Sequence, residues 1–295
     1  MSGVPLEAMP EPNRPRIVVF GATGRLGRLL VHRLGQQGHR VLSIGRNTKI
    51  LAKLPAERLV LDLMQDNSGM KDIRRGDVVI NAAHARFTSA IIELCPPGIE
   101  KLIVIGSTRY LTRIPDVKAG EVRAAALHLQ SSPLPWVLLH PTMIYGAEGE
   151  SNVQRMAALI KRFHIVPLPG GGRSMIQPIH VQDVVEAVMR VIARPGLRNA
   201  AIHLGGPEAI PYWKFLQEIA EAAGSWVKVV PLPLALLRMA ARLTALVPGV
   251  PVIKDAEVLR LQEDKAVDIS GMEETLKLSP RPLKEGLAAT FSKQD

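Results

Sequence analysis

Along the first half of the chain, short apolar runs alternate with longer segments in which apolar residues recur every three or four positions. The runs are Ile17–Phe20, Arg40–Ile44, Arg58–Leu61, Val78–Ile80, Leu102–Ile105 and Trp136–Leu139. Between them lie Arg25–Gln37, Asn47–Leu54, Ala85–Cys95 and Val117–Gln130, all with helical spacing. Continuous apolar runs fit strands buried on both faces, and their alternation with helices predicts an α/β fold with a doubly wound parallel sheet. Amphipathic helices are predicted further on at Val181–Ala193 and Trp213–Ala223, with a strand at Ala201–Leu204 between them. The expected organisation is a loose tail over 1–14 and a main sheet domain over 15–146, rejoined by a strand within about 176–205. Residues 147–295 build mainly a smaller substrate or partner domain.

Composition narrows the class. With 295 residues, 47% of them hydrophobic, the chain can bury a full core. The single Cys95 excludes an internal disulfide and fits a reducing compartment, so a cytoplasmic location is expected. Met1 to Pro15 carry no apolar stretch and read as neither a signal peptide nor an anchor. The net charge of +10 raises the question of nucleic acid, yet Arg155, Lys161, Arg162, Arg190 and Arg198 recur singly, without interleaved stacking aromatics. Solvated helix faces account for them, and no nucleic-acid partner is expected. Leu232–Val247 is strongly apolar but shorter than the ~20 residues a bilayer span needs, and it holds Arg238 and Arg242. A packed helix is one reading of it; a peripheral membrane or protein-docking helix is the other.

Chemistry enters at the first junction. Ile17–Phe20 runs straight into Gly21-Ala22-Thr23-Gly24-Arg25-Leu26-Gly27, and Arg28 to Val31 continue with helical spacing. Gly21 permits a tight turn, Gly24 lets backbone approach a pyrophosphate, and Gly27 lets the helix pack closely on the strand. The phosphates of a dinucleotide then rest on the helix N-terminus, where free N–H groups and the dipole favour an anion. Arg46 closes the second strand, where the adenosine ribose is expected. An acid there binds the 2′-hydroxyl of NAD(H), whereas an arginine accommodates the 2′-phosphate of NADP(H). With Arg25 in the turn and Lys49 nearby, NADP(H) is predicted; NAD(H) stays open if Arg46 is a surface cation beginning the next helix. Asp62 is placed to accept from an adenine amino group, with Leu63 against the ring, and capping a helix is its other reading. Asn81, Ala82 and Ala83, followed by His84, bring small residues to the middle of the cofactor, because ligands of open parallel sheets lie beyond the carboxyl ends of the strands.

The glycine turn, Asp62-Leu63, Asn81-Ala82-Ala83 and Gly106-Ser107-Thr108-Arg109 are followed by His140-Pro141-Thr142-Met143-Ile144-Tyr145-Gly146 and by Gln177-Pro178-Ile179-His180-Val181-Gln182-Asp183-Val184. This series resembles extended and atypical short-chain dehydrogenase/reductases over almost the whole chain. The likeness is greatest to the NAD-dependent epimerase/dehydratase group, including nucleoside-sugar epimerase-like proteins and relatives of the 39-kDa accessory subunit of complex I. The resemblance implies a Rossmann-type domain with a smaller C-terminal substrate domain. It places a nicotinamide near Ser107, against Pro141, Thr142 and Met143, and a substrate cleft lined by His84, His140, Tyr145, Asn152, Gln177 and His180. The implied activity is that of an oxidoreductase or epimerase on a small carbonyl, sugar-like or quinone-like substrate.

One departure bears on that activity. Active members pair a tyrosine with a lysine four residues on, the cation lowering the phenol pKa for proton transfer. Here Tyr110, Tyr145 and Tyr212 are followed at that distance by Ile114, Gly149 and Leu216, and the residue four before Lys118 is Ile114. The remaining candidates are the hydroxyls of Ser107 and Thr108, to hydrogen-bond a carbonyl oxygen, and Tyr110 or Lys118, to donate a proton. Without the pair, a non-catalytic NADPH-binding sensor or accessory (assembly) protein is the competing reading. No metal site is expected, since His128, His140 and His164 are dispersed and no cysteine pair exists. A Gly-x-Ser-x-Gly nucleophile turn is also missing.

Overall fold

The computed structural model describes residues 14–65, 67, 69–146, 152–244 and 258–292. The strands in chain order are β1 (Ile17–Phe20), β2 (Val41–Gly45), β3 (Glu57–Val60), β4 (Val78–Asn81), β5 (Lys101–Ile105), β6 (Trp136–Pro141), β7 (Ile144–Tyr145), β8 (Ile165–Pro169), β9 (Met175–Ile176), β10 (Ile179–His180), β11 (Ala200–Leu204), β12 (Ile210–Pro211) and β13 (Lys228–Leu232). Seven of them form one parallel sheet in the order β11-β6-β5-β4-β1-β2-β3. The order reverses between β1 and β4, and a crevice opens beyond the carboxyl ends of strands at such a point.

The sheet is covered on both sides because successive side chains of a strand alternate between its faces. Ile17, Val19, Ile80, Ile103 and Leu139 meet Leu30 and Leu34 of α1 (Arg25–Gln36) and Val184 and Val188 of α6 (Val181–Ile192), all fully buried. Val18, Phe20, Val79, Leu102 and Val104 meet Ile91 of α3 (Thr88–Leu94) and Leu129 of α4 (Val117–Ser131) on the other face. Each such side chain contributes about 1.5–3 kcal/mol by leaving water. The short α2 (Thr48–Leu51) links β2 to β3, the exposed edge strand, which starts one residue earlier than its apolar run.

Two long-range polar anchors brace the sheet. Arg16 and Asp77, both buried, pair at 2.7 Å beneath β1 and β4. The Lys101 ammonium, fully buried at the start of β5, donates to the carbonyls of Val191 in the last turn of α6 and of Arg194 and Leu197 in the segment that follows it, tying the end of that helix to the sheet. The predicted helix over Ala85–Cys95 divides into a 3-10 turn at Ala85–Phe87 and α3. The division follows from the Thr88 hydroxyl, which donates to the Ala85 carbonyl at 2.7 Å and accepts from the Asn81 amide at 3.2 Å.

A smaller lobe is built from α5 (Asn152–Phe163), α7 (Tyr212–Ala222) and α10 (Leu283–Phe291) around Ile160, Phe215, Leu216, Ile219 and Leu287, with β8 and β13 paired at its side. α9 (Ser270–Leu276) returns to the main sheet, where Met272 and Leu276 join the core. In the apolar stretch from Leu232, that residue ends β13 and the helix, α8 (Leu234–Thr244), begins after Pro233, whose carbonyl accepts from Leu236 and Leu237. Residues 245–247 lie outside the described residues. Among the described residues no helix is long and apolar enough to cross a membrane.

Candidate functional site

Beyond β1 the chain turns through Gly21 at φ +76°, and a Cβ there would sit 2.5 Å from the Ala83 nitrogen. At Gly27 a Cβ would sit 2.1 Å from the Gly21 carbonyl oxygen. Both glycines are therefore required by backbone contact, and α1 is brought hard against the turn. Gly24 is its N-cap, offers no side-chain bond, and is followed by a first turn without an acid. The initial N–H groups of α1 are left free for an anion. A cavity of about 460 Å³ opens here, lined by Gly21, Thr23, Gly24, Arg46, Asp62, Leu63, Ala82, Ala83 and His84. These residues fit a dinucleotide: a backbone cradle suited to phosphates, small residues along the cavity, and the exposed Arg46 guanidinium on its lining.

The lining differs from the sequence expectation in several places. Arg25 is exposed, Leu26 packs on the core and Gly27 is buried, so these three shape the turn without facing the cavity. Asn81 is fully buried, its amide donating to Thr88 and its carbonyl oxygen accepting from the Ala83 nitrogen at 3.0 Å. It holds the Ala82–Ala83 backbone in place. Asp62 caps no helix. Its Oδ1 accepts from the Met64 N–H at 3.0 Å, a local turn, while Oδ2 lies 3.8 Å from the exposed Arg46 guanidinium. His84 belongs to this cavity; its Nδ1 sits 3.4 Å from both the Arg86 nitrogen and the Glu121 carboxylate.

A second cavity, of about 320 Å³, lies beyond β5 and β6. It is lined by Ser107, Thr108, Thr142 and Met143, by Ile176 and Tyr212, and by Arg260, Leu261 and residues 263–267. Ser107 Oγ accepts from the Arg109 N–H at 3.1 Å and caps the 3-10 turn Thr108–Leu111; Thr108 Oγ1 donates to the Pro141 carbonyl at 3.3 Å. Pro141 itself is buried. At the mouth, Asp116 accepts from Arg109 at 2.6 and 3.0 Å and from Arg260. The Arg109 guanidinium first, then the Ala119 N–H and the Arg260 charge, hold the Asp116 carboxyl down at about 2.

Several residues expected at the substrate cleft are elsewhere. Tyr145 is 1% exposed, its ring edge-on to His180 and its hydroxyl against Gly286, and burial raises its pKa further. His180 is buried and caps α6, its Nδ1 accepting from Gln182. Gln177 is buried with its amide donating to Gly206 and its oxygen accepting from Val267, so it ties two loops together. His140 is buried with its ring 4.4 Å from that of Tyr110, and burial, with His203 beside it, pushes its pKa down to about 4. Asn152 begins α5, but its side chain is outside the described residues. The Tyr110 hydroxyl lies 2.9 Å from His203 Nε2, Lys118 is exposed in the first turn of α4, and neither lines the cavity. Arg260, Glu263 and Lys265 line the second cavity and were not legible as site residues, nor was Asp116, which pairs with Arg109 and Arg260. The most distant of these pairings spans 151 positions.

Residues 21–194 match the profile of the NAD(P)H-binding family, across the glycine turn and both sides of the nucleotide cavity. The chain belongs to that family. Among relatives of this NAD(P)H-binding protein, the mitochondrial NADH dehydrogenase (ubiquinone) 1 alpha subcomplex subunit 9 of Arabidopsis thaliana is 25% identical over 260 residues, covering 79% of this chain and 64% of its own length. The chain thus spans less than two thirds of that relative. The subunit of the same name from Mus musculus is 23% identical over 292 residues, covering 90% of this chain and 77% of its own. Among solved structures, UDP-glucuronic acid 4-epimerase from Bacillus cereus, determined with NAD, superposes with TM-score 0.70 at 16% identity, covering 94% of this chain and 98% of its own. An NADPH-dependent quinone oxidoreductase from Escherichia coli superposes with TM-score 0.69 at 20% identity, covering 93% and 99%. At these identities the structures share the fold, a Rossmann-like α/β sheet common to sugar epimerases and short-chain reductases, and nothing further is carried by them.

Proposed function

We propose that this protein is an NADP(H)-dependent oxidoreductase that reduces a small carbonyl or quinone-like substrate. The observation that carries the reading is the second cavity, shaped beyond β5 and β6 beside the Ser107 hydroxyl and distinct from the nucleotide cavity. Bound NADPH would supply the hydride. The N-terminus of α1 would take the pyrophosphate, and Arg46, exposed at the end of β2 and only loosely held by Asp62, would turn to the 2′-phosphate. Ser107 Oγ accepts a hydrogen bond and keeps its own O–H to give, so it would polarise the substrate oxygen; Thr108 already gives its proton to Pro141. The lone, buried Cys95, its thiol pushed up to about 12 by burial, suits a reducing compartment such as the cytoplasm.

Stopped-flow NADPH oxidation against a panel of aldehydes, ketones and quinones tests this directly. Stoichiometric oxidation with at least one class is expected, lost in Ser107→Ala; binding of NADPH without consumption across the panel overturns it. A second reading is favoured by Tyr110 and Lys118, since the phenol is held by His203 and the lysine is in solvent. Together with relatives named as subunits of NADH dehydrogenase, that supports an accessory or sensor protein stabilised by NADPH. The same assay separates the two.

A further inference from the structure

Arg260, Leu261 and residues 263–267 line the second cavity together with Ser107. After the 3-10 turn Arg260–Gln262, half-buried and exposed positions alternate strictly from Glu263 to Asp268, with Glu263, Lys265 and Val267 on the inner side. A period of two is that of an extended chain, so these side chains share one face. Lys265 is fixed within this segment: its N–H donates to the Met175 carbonyl at 2.8 Å and it bridges to Ile176.

Every other charged group lining the cavity has a partner. Arg109 and Arg260 both hold Asp116. Glu263 accepts from the Thr112 hydroxyl at 2.5 Å and the Arg113 N–H at 2.9 Å, and Asp264 accepts from the Met175 N–H at 2.8 Å. The Lys265 ammonium makes no hydrogen bond or ion pair with any described residue. It brings three donors to a cavity whose lining carboxylates, Glu263 and Asp264, are already hydrogen-bonded elsewhere. Burial, with Arg260 and Arg109 nearby, lowers its pKa, and Glu263 opposes them. A group so held gains most from an anionic oxygen arriving with the ligand.

Resting on the reading of this cavity as the substrate site, we propose that Lys265 is a substrate-binding residue that pairs with a carboxylate or phosphate, making the substrate an anionic carbonyl compound. Reductive methylation with 13C-formaldehyde makes each lysine a charged dimethylamine visible by NMR, and the Lys265 signal is assigned by its loss in Lys265→Gln. Succinate or glycerol 3-phosphate is expected to move that signal and raise its titration midpoint, with succinamide inert. A response to the first alone assigns carboxylate, and to the second alone phosphate. Affinity for the responding anion should fall about tenfold or more in Lys265→Gln and be retained in Lys265→Arg, with thermal unfolding confirming that both variants fold. An unmoved Lys265 signal with both anions, or an equal response to succinamide, overturns the proposal. Because the readout needs no NADPH turnover, its failure is distinguishable from failure of the oxidoreductase reading.

Discussion

Alanine at Gly27 tests how the nucleotide cavity is built, because the same substitution at another helical glycine should act in the opposite direction. In a helix interior alanine is preferred to glycine by about 1 kcal/mol. At Gly120, in α4, an added Cβ meets nothing within 4 Å. Gly120→Ala should therefore stabilise the protein by about that amount, raising Tm by roughly 2–4 °C. At Gly27 the new Cβ would lie 2.1 Å from the Gly21 oxygen, 2.8 Å from its carbonyl carbon and 2.9 Å from the Ala22 Cα. Ordinary contact is about 3.5–4 Å, and all three atoms are backbone, so no side chain can swing aside. Overpacking of this kind costs about 1–3 kcal/mol, and more where backbone must move, which exceeds the helical gain. A net loss of about 1–2 kcal/mol is expected, a fall in Tm of roughly 2–8 °C. α1 would lift from the turn and carry its N–H groups away from the phosphates. Calorimetric unfolding with and without NADPH reads both effects, since the ligand-induced rise in Tm shrinks as affinity falls. A Gly27→Ala protein that unfolds at or above the wild-type temperature and binds NADPH equally well would refute the reasoning.

Four further outcomes follow from named contacts. Arg46→Asp should weaken NADPH binding about tenfold or more while sparing NADH, as one charge-assisted phosphate contact is exchanged for repulsion; titration of both nucleotides reads the ratio. Asp77→Ala leaves the buried Arg16 guanidinium without its carboxylate and should cost about 3–5 kcal/mol in urea unfolding, far beyond an exposed pair such as Lys284 with Glu221. The Asp116 carboxyl stands at about 2 in the folded protein against an ordinary 3.8, so its contribution is complete above about pH 4 and is lost as pH falls towards 2; Asp116→Asn should flatten the urea midpoint against pH across that window. Tyr110→Phe should lower Tm through the lost bond to His203 yet leave NADPH oxidation unchanged, since the ring does not line the cavity; a drop in turnover would return Tyr110 to the chemistry.

The parts that could be read in advance are those whose cause is local. A strand buried on both faces must be apolar throughout, a helix on it must repeat every three or four residues, and Gly24 and Gly27 must be small because of backbone within the same seven-residue turn, whereas Gly21 must be small because of its positive φ and the distant Ala82–Ala83 backbone. The sheet, its helices and the nucleotide turn therefore followed from the pattern of the chain. Histidines and glutamines near strand ends were harder, because a polar residue reads alike whether it faces a ligand or closes an internal hydrogen bond. His180 caps a helix, Gln177 joins two loops and Tyr145 fills the smaller lobe's core, and each is decided by what packs on it.

What the residue pattern settled was local: a parallel sheet that binds NAD(P)H, a glycine turn shaped for a dinucleotide, and the absence of a tyrosine and lysine four residues apart. The surroundings of the second cavity, by contrast, come from contacts between distant parts of the chain. Asp116 meets Arg260 across 144 positions and Tyr110 meets His203 across 93. Lys265 reaches the cavity because a chain segment far from β5 closes over that strand's end. Periodicity reports which face of an element is buried; which elements share a cavity depends on how the whole chain returns to the sheet.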